Sequence, residues 1–102
     1  MNIESRLEMI KHLENEDFNK EIKGKRVLVD FYADWCGPCK MMSKVLEDVD
    51  FDILKVNVDT HSDLAKEFGV MSIPTLILFE DGKAVKKSIG FMGKDDLEDF
   101  LK

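Results

Sequence analysis

The segment Val27-Leu28-Val29-Asp30-Phe31-Tyr32 constrains this chain more than any other, because it is an almost unbroken apolar run rich in β-branched and aromatic residues. Such a run predicts a central strand covered on both faces. The residues after it narrow the fold further. Met42, Val45, Leu46 and Val49 recur at the i, i+3, i+4, i+7 spacing of an amphipathic helix that packs on a sheet. Upstream, Met9 to Leu13 reads as a weaker first strand, and a helix is expected near residues 15–23, where Phe18 and Ile22 lie four apart. Downstream, Ile53 to Val58 reads as a third strand, and Leu64 and Phe68 mark a short helix with Gly69 just past its end. Thr75 to Phe79 and Ala84 to Ile89 flank Asp81-Gly82, a dipeptide that suits the positive φ angles of a type I′ turn, so an antiparallel hairpin is expected. Leu97, Phe100 and Leu101 give a last amphipathic helix. Helical crossovers early and a hairpin late imply an α/β fold: a mixed sheet, parallel in its first part, with helices on both faces.

The chain has 102 residues, the usual size of one domain, and neither repeats nor linker-like stretches mark an internal boundary, so residues 1–102 are read as a single domain. With 15 Lys and Arg against 21 Asp and Glu, the formal charge of −6 argues against a nucleic-acid partner. The N-terminus lacks the basic and apolar regions of an export signal, and no stretch approaches the about 18 apolar residues of a membrane span. Two cysteines only, in a chain read as unexported, suggest a reducing compartment, so a cytoplasmic location and a catalytic or metal-binding pair are expected.

That pair lies in Trp35-Cys36-Gly37-Pro38-Cys39-Lys40, between the apolar strand and the amphipathic helix. Sites in α/β folds collect at the carboxyl ends of strands. Pro38 fits the first helical turn, where its missing N–H costs nothing, which places Cys36 near the N-cap beside unpaired backbone N–H groups and the positive end of the helix dipole. These favour the thiolate, the species that attacks a disulfide. Cys36 is therefore expected to be the exposed attacker, and Cys39, one turn inward, the more buried resolver. A zinc half-site and a structural pair are the other uses of such a spacing. Zinc takes four ligands, and His12 and His61 lie at no recognised zinc spacing from the cysteines. Asp30 is a carboxylate inside an apolar strand, so burial should raise its pKa. Lys55 interrupts a second apolar strand.

The chain resembles the thioredoxin family in the segments Val29 to Lys40, Lys55-Val56-Asn57-Val58-Asp59, Phe68-Gly69-Val70, Ile73-Pro74-Thr75, Phe79-Glu80-Asp81-Gly82 and Gly90. The resemblance implies a central mixed five-stranded sheet flanked by four helices, and reduction of protein disulfides by a dithiol that a thioredoxin reductase recycles. It implies that Asp30 exchanges protons with Cys39, the alternative being a structural acid tied to backbone donors. It places Lys55 near that acid, the alternative being an exposed lysine on a polar face. It further implies a cis Ile73-Pro74 bond beside the cysteines, able to pair with an extended substrate segment. Trp35, Gly37, Pro38, Val70, Ile73, Pro74, Gly90 and Phe91 would form an apolar rim that binds disulfide-containing protein substrates. Met41, Met42 and Met71 are read as core or general surface. No cofactor or metal is expected, and a monomer is.

Three positions depart from the family's usual residues: Tyr32 stands in place of tryptophan, Lys44 in place of a helix-kinking proline, and Ser72 in place of glycine. Without that proline the helix after the cysteines is expected to be straighter. Gly37-Pro38 between the cysteines favours a reductase over an oxidase or isomerase, and the intact Cys36, Cys39 and Asp30 argue against a purely scaffolding role.

Overall fold

The computed structural model describes residues 2–102. In chain order the elements are α1 (Ile3–Glu8), β1 (Ile10–His12), α2 (Phe18–Ile22), β2 (Arg26–Tyr32), α3 (Gly37–Leu46), β3 (Ile53–Asn57), α4 (Ser62–Glu67), β4 (Thr75–Glu80), β5 (Lys83–Ile89) and α5 (Lys94–Phe100). The strands form one five-stranded sheet in the order β1-β3-β2-β4-β5. β1, β3 and β2 run parallel, whereas β4 is antiparallel to β2 and β5 to β4. This is the expected mixed sheet, with β2 at its centre.

Alternation along β2 sorts the core into two layers. Val27, Val29 and Phe31 face α2 and α4, packing with Phe18, Ile22, Ile77 and Phe79. Leu28 faces the other way, toward α3 and α5, among Met42, Leu46, Leu76, Leu78 and Leu97. Asp30 shares the parity of Leu28 and so enters the sheet on the α3 side. Asp81 and Gly82 take φ values of 48° and 82°, the left-handed pair that a type I′ turn requires, and close the hairpin as expected. Beyond α4, Gly69 adopts φ 65°, and the Val70 N–H donates to the Ala65 carbonyl at 2.8 Å, a Schellman end.

Among the described residues five helices flank the sheet rather than four. The added one, α1, buries none of its residues and leaves Ile3 and Leu7 46% and 43% exposed. Its start is fixed locally, by the Asn2 side chain accepting from the Ser5 N–H at 2.9 Å. None of the described helices is long and apolar enough to cross a membrane.

Candidate active site

β2 delivers the chain through Ala33-Asp34-Trp35 to Cys36, which caps α3 in extended backbone geometry with Pro38 in the first turn. Cys36 and Cys39 are joined as a disulfide, their Cα atoms 5.2 Å apart, so the structure shows the oxidised state. The Cys36 sulfur accepts the Cys39 backbone N–H at 3.2 Å, which aims an otherwise unpaired helix-terminal donor at it. In the thiolate the same donor and the helix dipole would lower the sulfur's pKa.

Expected to be exposed, Cys36 is only 5% exposed, against 2% for Cys39. The cause is packing: Cys36 sits in a small cluster with Ala33 and Cys39, against which Tyr32, Val58 and Ile73 pack. Cys39 is the more buried of the two, as expected, but the asymmetry in exposure is small.

The Ile73-Pro74 peptide bond is cis, and the Ile73 carbonyl oxygen lies 3.8 Å from the Cys36 sulfur. Pro74 itself is buried and contributes backbone rather than side-chain surface. Its carbonyl accepts the Gly90 N–H at 2.8 Å, and Gly90 holds φ 95°, a conformation that favours glycine. This bond brings the end of β5, with exposed Phe91, to the same edge as the cis turn. Trp35 is 70% exposed, and its Nε1–H donates to Asp59 Oδ2 at 3.0 Å. Together with Val58, Val70, Met71, Ser72 and Ile73 it lines a mainly apolar groove beside the disulfide. Gly37 and Pro38 are exposed at the start of α3. Met71, read as core or general surface, is a groove residue and is 96% exposed. Only its position two residues before Ile73 hinted at that.

Beneath α3, Asp30 is fully buried, and neither carboxylate oxygen accepts a hydrogen bond from the protein. Lys55 lies beside it in register on β3, its Nζ 3.5 Å from Asp30 Oδ2. Lys55 is thus a buried partner of the acid and not an exposed lysine. Burial pushes the Asp30 carboxyl up to about 6, with the Lys55 ammonium pulling the other way. Lys55 Nζ also donates to Ser43 Oγ on α3 and sits 4.7 Å from the centre of the Tyr32 ring. Ser43 follows Cys39 by one helical turn, so this bond ties the acid–lysine pair to the helix face that carries the inner cysteine. Sequence reasoning missed Ser43, because a serine within an amphipathic helix carries no signal of what it touches.

A helix N-cap that presents a closed dithiol beside an apolar groove can accept and return two electrons, and this chemistry on this scaffold defines a thiol–disulfide oxidoreductase. The family model described as Thioredoxin matches residues 9–102. A thioredoxin of Chlamydia caviae is 48% identical over 94 residues, covering 87% of this chain and 92% of that protein. One from Mycoplasmoides gallisepticum is 41% identical over 100 residues, covering 91% and 100%. Among solved structures, a mutant thioredoxin from Halobacterium salinarum superposes with a TM-score of 0.82 at 36% identity, covering 90% of this chain and 87% of that one. The chain belongs to the thioredoxin family, and its activity is protein-disulfide reduction through a redox-active cysteine pair.

Proposed function

We propose that the chain works as one thioredoxin domain in the cytoplasm, where it reduces disulfides of protein substrates at Cys36 and is returned to the dithiol by a thioredoxin reductase. The observation that carries this reading is the unequal placement of the two sulfurs: only Cys36 occupies the N-cap and accepts a helix-terminal N–H. Its thiolate attacks one sulfur of a substrate disulfide, forming a mixed disulfide and expelling the other substrate sulfur as a thiolate. Cys39 then gives its proton to the Asp30 carboxylate, and the Cys39 thiolate attacks the Cys36 sulfur. The Cys36–Cys39 disulfide closes and the second substrate thiolate leaves, so two electrons have passed from dithiol to substrate. With its carboxyl raised to about 6, Asp30 is ionised at neutral pH and close enough in basicity to take a thiol proton. Lys55 tunes that acid.

The apolar groove at Trp35, Val70 and Ile73, continued by Gly37, Pro38, Gly90 and Phe91, receives the substrate, and the backbone at Ile73-Pro74 pairs with an extended segment next to its disulfide. A reducing compartment suits this direction of flow. Insulin reduction with dithiothreitol as electron source tests the reading: the protein should accelerate precipitation of the insulin B chain, and no acceleration would overturn it.

A further inference from the structure

The Lys55 ammonium is shared by α3 and β2. Its Nζ donates to Ser43 Oγ on α3, lies 3.5 Å from Asp30 Oδ2 on β2, and sits over the Tyr32 ring at 4.7 Å. The Tyr32 hydroxyl is in turn 3.3 Å from His12 Nδ1 on β1, so the ring is held from outside. An ammonium has three donors, and Ser43 Oγ takes one of them. Yet both Asp30 oxygens go without a hydrogen bond. The strongest acceptor in the cluster is therefore left at ion-pair distance, while a neutral hydroxyl holds the lysine.

We infer that Ser43 positions Lys55: by holding the ammonium on its hydroxyl it keeps Lys55 from closing on Asp30, and so sets the pH at which Asp30 exchanges its proton. The other titratable groups around the cluster are Glu47 just past α3, His12 from β1, and Asp34 in the loop after β2, Cys39 being held in the disulfide. β4 and α1 meet it with the apolar Leu76 and Leu7. None of these is another acceptor placed to hold the lysine away from the acid. Ser43 also lies on the helix that carries Cys39, so the setting is made from the same element as the thiol that Asp30 is proposed to serve.

The inference rests on the proposed role of Asp30 only for its effect on turnover, and two readouts keep the two apart. Carbon-13 NMR titration of the Asp30 carboxyl in the oxidised protein reads its midpoint directly. Ser43→Ala should lower that midpoint by about one unit, as an opposite charge closing on a carboxylate does. Ser43→Thr keeps the hydroxyl and should titrate as the unsubstituted protein does, whereas Lys55→Met should raise the midpoint. A Ser43→Ala midpoint that stays in place or rises overturns the inference, as does a Lys55→Met midpoint that does not rise. The pH profile of insulin reduction is the second readout: a profile that ignores a shifted carboxyl would overturn Asp30 as proton acceptor while the effect of Ser43 on that carboxyl stands.

Discussion

Asp30 and Lys55 are charged side chains buried in a mainly apolar core, and their burial gives them their chemistry. A carboxyl raised to about 6 is protonated in mild acid and ionised at neutral pH, so the rate of the resolving step should rise with pH through that value. Asp30→Asn keeps the shape and removes the base. In single-turnover measurements at pH 7 it should slow release of reduced substrate from the mixed disulfide by about 10²-fold; unchanged kinetics would return Asp30 to a structural acid. The sequence made Asp30 conspicuous, because a carboxylate in a buried run has few explanations. Lys55 was half legible: an apolar strand explained its oddity equally well by exposure, until the register placed it beside Asp30. Ser43 and the contact between Tyr32 and His12 were not legible, because their partners lie on other elements and no spacing rule links them.

At the scale of elements, legibility followed burial. β2, β4 and α3 carry long apolar patterns dictated by the layers they touch; β2 and β4 agree with the sequence to within a residue, while α3 ends at Leu46, three residues before the last position of its expected stripe. α1 escaped notice because its six residues commit nothing to the core and its one strong signal is the Asn2 cap. The same contrast predicts stability. Leu78 on β4 is fully buried, so Leu78→Ala should cost about 3 kcal/mol in urea denaturation through lost contacts and a cavity. Val85 on the edge strand β5 is 47% exposed, and Val85→Ala should cost no more than about 0.5 kcal/mol. Comparable losses at the two positions would contradict the two-layer core.

For the whole molecule, the raised acid has a thermodynamic consequence. In the unfolded chain Asp30 titrates near its ordinary value of 3.8, and in the fold at about 6, so between these values the folded state binds the extra proton. The contribution of Asp30 to stability should therefore fall as pH rises through that window, by about 3 kcal/mol, and then level off. Asp30→Asn lacks this term, so the difference between the two proteins in urea unfolding should be small at pH 4 and should favour the variant at pH 7. A gap that does not change with pH would contradict the burial of an ionised Asp30. The fold thus carries a standing cost at neutral pH for an acid buried within its sheet. The order of reaction at those cysteines is the central claim, and mass spectrometry of trapped intermediates tests it most directly. Cys39→Ser, incubated with a disulfide-containing protein, should accumulate a mixed disulfide through Cys36, while Cys36→Ser should accumulate none; equal trapping by the two variants, or trapping through Cys39 alone, would contradict it.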